Sequence, residues 1–274
     1  MSQTEKPDLI HTRIWSEEPE PDNPFAARTA YCHGYDVYGE VLQQATYLEY
    51  LFLLFRGERP SSPMLRSLEI LAIAIANPGP RDPSVHAAMA ASVGGSPAAA
   101  ALMAALAAGA GVSGGSREVY HAMERWTQCG CMLNAWQSAF AAPPANGKMQ
   151  VWPEAEHPPG FAAYGGRCAQ PVLQTLAALS ANLGPGCTQW LADNRVRLET
   201  LADHPLAMPG VIAAALTDMG FTPTAGEMLS LMLRLPGAAA HALEQGERGY
   251  RRFPFFSLDI GNDPGPVKKQ AEAA

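Results

Sequence analysis

Over residues 37–55 the apolar positions Val41, Leu42, Ala45, Leu48, Leu51, Phe52 and Phe55 recur at helical spacing, and Gly57 followed by Pro60 supplies the stop. The same reading predicts a helix over 62–76, with Pro63 in its first turn and NPGPRDP at 77–83 as the break, and another over 84–93. Pro97 then opens PAAAALMAALAAGAG, whose small residues let helix backbones approach closely and suit a buried place at a subunit interface. After a loop at 111–116 one helix is predicted to run to about residue 140, followed by a long Pro- and Gly-rich loop at 143–166 of the kind that lines sites. Helices resume at 171–182, 188–202, 211–219, 225–233 and 236–245, and the tail from 246 reads as irregular. Alternating apolar runs closed by hairpin turns are nearly absent, so no strand is predicted and the fold class is all-α.

The ends carry a different pattern. Residues up to about 23 are rich in Pro, Glu and Asp, which predicts an extended arm, taken as 1–30 in the domain division. The closing KKQAEAA, at 266–274 with the residues before it, predicts a disordered tail.

Composition narrows the classes. A chain of 274 residues with 47% apolar and only 16% charged residues can bury a large core but is short of ions for a monomer's surface, so oligomerisation is expected. A net charge of −7 argues against nucleic acid and anionic lipid as partners, and an anionic ligand would need a local Arg cluster. The five cysteines have no C-x-x-C spacing and read as reduced, mostly packed thiols rather than a metal site. The acidic start has no secretory pattern and no apolar run reaches membrane-spanning length, which predicts a soluble cytoplasmic protein without membrane contact.

Five collinear segments carry a resemblance. GYDVYGEVLQQATYLEYLFLLFRGERP at 34–60 resembles the opening helices of the citrate synthase family, with their R-G-Y turn and G-E-x-P end. GVSGGSREV at 111–119 looks like the family's H-G-G-A loop, PPGFAAYGGR at 158–167 resembles its G-F-G-H loop, and AMPGVIAAALTDMGF at 207–221 resembles its N-x-D-G helix start. RLPGAAAHALEQ with GYRRFPFF, over 234–256, is similar to the closing R-x-x-G-x-x-x-H segment and basic tail of citryl-CoA lyases and of the citrate-cleaving module of ATP-citrate lyase. The resemblance implies a helical homodimer, with a large domain at 31–117 and 221–265 and a small domain at 118–220 that closes over a cleft. It implies no tightly bound cofactor, with CoA or an acyl-CoA as the ligand beside a small carboxylate.

It also implies which residues carry the chemistry. In the family a carboxylate takes an α-proton from the CoA thioester while two histidines polarise the reacting oxygens. Those positions fall on Ser113, Ala163 and Pro209, so all three groups are absent. A positioned base is worth roughly 10² to 10⁴ in rate and an oxyanion donor roughly 10² to 10³, so the standard mechanism is expected to be crippled. Ser113 can still donate a hydrogen bond, whereas Ala163 and Pro209 cannot. Arg234 matches an Arg that clamps a substrate carboxylate, or else pairs at a helix junction. Arg251 and Arg252 match a tail that meets the CoA, or else form a solvated basic end.

Gly111, Gly114 and Gly115 let backbone N–H groups face an anion, or make a tight turn for packing. His241 matches a family His but also suits a packing role, and His33, His157 and His204 are candidates for replacement chemistry. Phe253, Phe255 and Phe256 read as core or dimer interface. Three functions stay open: a CoA-thioester or polycarboxylate cleft with altered or lost chemistry, a structural or regulatory pseudoenzyme paired with an active relative, and an active citryl-CoA lyase or citrate synthase-type acyltransferase using replacement residues.

Overall fold

The computed structural model describes residues 11–141 and 156–253. The expected disordered tail, Phe255 and Phe256, and positions 143–155 of the long loop lie outside the described residues. After a short antiparallel sheet, of β1 (Trp15–Glu20), β2 (Asn23–Cys32) and β3 (Tyr35–Asp36), the described chain is helical. A π-helical turn at Val37–Val41 leads into α1 (Leu42–Gln44), α2 (Tyr47–Arg56), α3 (Ser62–Ile75), α4 (Pro83–Val93) and α5 (Ala98–Gly109). Then come α6 (Ser116–Cys129), α7 (Leu133–Ala141), α8 (Gln170–Leu183), α9 (Cys187–Ala202), α10 (Met208–Asp218), α11 (Pro223–Leu233) and α12 (Leu235–Arg248), with a 3₁₀ turn at Tyr250–Arg252.

The sheet corrects the expectation of an extended arm without strands. β1 is exposed along nearly its whole length and so lacks the alternation that marks a half-buried strand. The β2–β3 turn is His33-Gly34, both at positive φ (49° and 86°), with Cys32 opposite Tyr35. Such a two-residue turn normally advertises itself with Asn or Asp before Gly, and His in that place hides it.

Two predicted helices are each divided. Ala45 is extended, and Thr46 caps α2 by accepting from the Glu49 N–H at 3.2 Å, the Thr-x-x-Glu pattern of a capping box in the middle of an apolar run. Gly130, at φ 50°, likewise separates α6 from α7. The end of α12 lies three residues beyond the predicted one, with Arg248 paired to Glu244 one turn back at 2.6 Å and Gly249 closing it at φ 77°.

One large hydrophobic cluster joins α2, α3 and α6 to α11 around Leu68, Leu71, Met123, Leu179, Leu198 and Leu216. It includes a triad of indoles, Trp126, Trp136 and Trp190, with centroids 4.8–6.3 Å apart. A second cluster joins α4, α5 and α12 through Val85, Ala88, Ala101, Ala105, Ala238 and Ala242. The small residues of α5 are what allow that packing, while Met103 and Leu106 on the same helix remain exposed. Gly237 donates its N–H to the Ala76 carbonyl at 2.7 Å, and a Cβ there would collide with the same backbone, so the start of α12 is pressed against the end of α3. Asp218, at the end of α10, accepts from the Cys187 and Thr188 N–H groups at 2.6 and 2.7 Å and so caps α9.

Among the described residues the thiols of Cys32, Cys129, Cys131, Cys168 and Cys187 are all free, with Cys131 exposed and Cys187 half-buried. Burial pushes the Cys187 thiol well up, reinforced by Asp218 and Cys131 beside it.

Candidate functional site

The amino end of α6 is built on glycines because a side chain does not fit. A Cβ on Gly115 would run into the backbone of Gly111 and lie 2.8 Å from the Gly109 carbonyl, and Gly114 sits at φ 70°. Gly115 caps α6 without a side chain, so the helix takes its capping group from inside: Glu118, in the first turn, reaches back to the Gly114 N–H at 2.5 Å. The other carboxylate oxygen accepts from the Gly160 N–H at 2.9 Å, in the loop that resembles G-F-G-H. Glu118 is 1% exposed.

Gly160 fixes the opposite wall in turn. Its carbonyl accepts from the Ala207 N–H at 3.0 Å, a Cβ on Gly210 would lie 2.5 Å from that carbonyl, and the Ala162 N–H donates to the Pro205 carbonyl at 2.8 Å. His204 Nδ1 meets the Ala162 carbonyl at 3.0 Å, and Phe161 pairs with Leu206. One buried carboxylate therefore sets the start of α6 against the start of α10.

Between these starts lies a cleft of about 360 Å³, with the ends of α3 and α11, the entry to α4 and the start of α8 as further walls. Gly114, Gly115, Pro209 and Arg234 line it, together with Asn77, Asp82, Ser116 and Ser230 and an apolar set that includes Ile75, Val119, Met208 and Ile212. The volume is at the lower end of what small-ligand sites occupy, roughly 300–1,000 Å³. The chain thus brings four of its sequence-predicted residues together. Gly111, Ser113, Ala163, His241, Arg251 and Arg252 are not among the lining residues. Ser113 is exposed, and so are Arg251 and Arg252 on the 3₁₀ turn. His241 stands one step behind the wall, its Nε2 3.1 Å from Asn77 Oδ1.

Arg234 joins the walls. Its Nη2 meets Asp82 Oδ2 at 2.5 Å, and its Nη1 donates to the Gly109 and Gly114 carbonyls at 3.4 and 3.3 Å. Asp82 is at the same time the cap of α4, accepting from the Ser84 N–H at 2.9 Å. Of the five guanidinium N–H groups, Nε–H and one on Nη2 take no part in these bonds.

Several of these residues are not legible by periodicity. Asp82 precedes Pro83 and reads only as a helix cap, Glu118 reads as a first-turn acid, and Ser116 directly follows two glycines. Ser116 is 1% exposed, and its hydroxyl has no hydrogen-bond partner among the described residues. His157 is buried beside Glu118, with Nδ1 3.9 Å from the carboxylate and 3.2 Å from the Pro158 carbonyl, and its ring centroid is 6.2 Å from that of His204. His33 lies away from the cleft, in the β2–β3 turn, with Nε2 3.4 Å from the Leu54 carbonyl. No group of three or more His, Cys, Asp or Glu able to hold a metal gathers among the described residues, and no described helix is long and apolar enough to cross a membrane.

Burial raises the Glu118 carboxyl above its ordinary value of 4.5, and the two N–H donors and His157 offset only part of that. The folded protein then holds this proton at pH values where the unfolded chain has released it, so the stability contributed by Glu118 declines as pH rises from 4.5 through the folded value. The stability of wild type relative to Glu118→Gln is expected to be greatest at pH 4.5 and below and to fall toward neutrality. Urea midpoints of both proteins across that range check this, and a difference that stays flat or grows with pH would contradict it.

Neither a family model nor a curated protein matches the sequence. The fold, however, is shared with solved structures. Citryl-CoA lyase from Hydrogenobacter thermophilus superposes with a TM-score of 0.68 at 17% identity, covering 96% of this chain and 100% of that one. ATP citrate lyase from Methanothrix soehngenii, in complex with citrate and coenzyme A, superposes at 0.69 with 15% identity over 97% of this chain and 44% of that one. A variant of ATP citrate lyase from Methanosaeta concilii, in complex with (3S)-citryl-CoA, gives 0.68 at 16% identity over 93% and 42%. The fold class is therefore the citrate synthase-like one that the five motifs implied.

Proposed function

We propose that this chain is a citrate synthase-like protein that keeps a cleft for a CoA thioester or a polycarboxylate while the standard carbon-carbon bond chemistry is altered or lost. The observation that carries this reading is Pro209 in the cleft wall, at the position where the motif resemblance puts the proton-accepting carboxylate. Proline offers nothing that titrates. The one acid among the described lining residues, Asp82, is engaged with Arg234 and with the cap of α4. Support for a CoA-type ligand comes from the neighbours, two of which hold coenzyme A with citrate or (3S)-citryl-CoA. Arg251 and Arg252, exposed just beyond α12, are the groups proposed to meet the CoA phosphates.

The same reading includes closure of a small domain at 118–220 over the cleft, a cytoplasmic location, and a homodimer. The outward Met103 and Leu106 of α5 and the shortage of charged residues support self-association. Titration calorimetry with CoA, acetyl-CoA and citryl-CoA is expected to detect binding, and heat from none of them at millimolar ligand would overturn the reading. Turnover of citryl-CoA, or of acetyl-CoA with oxaloacetate, is expected to be absent or orders of magnitude below that of a lyase. A full rate would instead establish an active enzyme working through replacement residues.

A further inference from the structure

We propose that the acyl end of the ligand is largely apolar, with a single carbonyl head that hydrogen-bonds to Ser116, and is not a polycarboxylate; this rests on the CoA-thioester reading of the cleft. The charges of the lining residues decide it. Among the described residues that line the cleft, Arg234 is the only cation and Asp82 the only anion, and they are paired at 2.5 Å. Two backbone carbonyls, of Gly109 and Gly114, face the same guanidinium. An acyl group with two or more carboxylates would bring at least two negative charges to one neutralised cation, and a buried charge without a partner is strongly disfavoured.

The larger share of the lining surface is apolar, and Ile75, Val119, Met208 and Ile212 contribute to it beside the uncharged polar side chains of Asn77, Ser116 and Ser230. Each methylene buried against such a surface tightens binding about fourfold at most.

The polar end has one specific position. Ser116 is the first residue of α6, where the helix dipole and the leading N–H groups favour an oxygen carrying negative charge. Its hydroxyl is buried and without a partner among the described residues, a state that a protein normally avoids. A carbonyl oxygen entering the cleft supplies the missing acceptor. The apolar chain then extends between the starts of α6 and α10.

Titration of the full chain with free CoA, acetyl-CoA, hexanoyl-CoA and citrate tests this. Hexanoyl-CoA is expected to bind at least tenfold more tightly than acetyl-CoA, with citrate showing no saturable heat. Ser116→Ala is expected to weaken hexanoyl-CoA about fivefold, the worth of one hydrogen bond, without lowering the melting temperature, because the hydroxyl has no partner among the described residues to lose. Equal affinities along the CoA series, tighter binding of citrate, or an unchanged hexanoyl-CoA affinity in Ser116→Ala would each overturn the inference while leaving the CoA cleft in place. Failure of free CoA and of every thioester to bind would remove the CoA-thioester reading, and this inference with it.

Discussion

Replacing Glu118 by alanine is expected to lower folding stability by roughly 2–4 kcal/mol, and with it the melting temperature by about 5–15 °C. The carboxylate is 1% exposed and serves two backbone N–H groups, of Gly114 at 2.5 Å and Gly160 at 2.9 Å. A buried donor left without an acceptor costs about 1–3 kcal/mol, and alanine leaves two. Relief of the desolvated charge offsets part of that sum, which is why the upper end is not reached. Glu118→Gln keeps one carbonyl oxygen, so it is expected to lose about half as much, at neutral pH where the wild-type carboxyl is most ionised. The loss should also be local: with the Gly160 tie gone, the 160–163 loop and the start of α10 are expected to gain amide exchange before the indole core around Trp126 does. Thermal denaturation followed by circular dichroism, with hydrogen exchange, reads both effects. A melting temperature within about 2 °C of wild type would mean that the two N–H groups find other partners and that Glu118 does not hold the walls together.

The helices and their order are legible because each apolar face repeats at helical spacing and most ends carry their own punctuation, as with Gly57 after α2 and Pro83 at the start of α4. The divisions within two predicted helices were also written in the chain, as Thr46-x-x-Glu49 and as Gly130, but an apolar run that continues across a cap conceals it. The sheet left little trace, since its first strand buries almost nothing and its turn uses histidine.

For the cleft, two of the three glycines singled out in the sequence, Gly114 and Gly115, line the wall, and close backbone approach is what a side chain would prevent there: Gly115 lies against Gly111, as Gly160 lies against Gly210. The motif resemblance was less informative about side chains. Ser113 and Ala163 sit in the matching loops without lining the cleft, whereas Ser116 and Asp82 do line it. Which side chain of a loop turns inward depends on partners contributed from far along the chain. Glu118 needs Gly160, 42 residues on, and Asp82 needs Arg234, 152 residues on. Local pattern does not encode those meetings.

Arg234 is the second position where a single change is expected to be severe. Its ion pair with Asp82 has side chains only 11% and 15% exposed, so it is mostly withdrawn from water. Removing one partner of such a pair leaves the other charge uncompensated, an effect of about 3–5 kcal/mol for a fully buried pair. Arg234→Ala is expected to fall around and somewhat below the lower end of that range, about 2–4 kcal/mol, because some solvent reaches Asp82. Asp82→Asn removes the charge while keeping a side-chain oxygen for the α4 cap, so the double variant should recover much of the loss; a coupling of roughly 1–2 kcal/mol in that cycle is the expected result. Arg234→Lys separates the two roles the sequence left open. A lysine can meet Asp82 but cannot also hold the Gly109 and Gly114 carbonyls with a planar fork, so a guanidinium that pins the glycine loop predicts lost stability in the lysine variant too. If instead Arg234 mainly holds a ligand carboxylate, Arg234→Lys keeps its stability in the free protein and loses affinity only for ligands that carry that carboxylate. The bonds to Asp82 and to both carbonyls already exist in the unliganded chain, so the first outcome is expected.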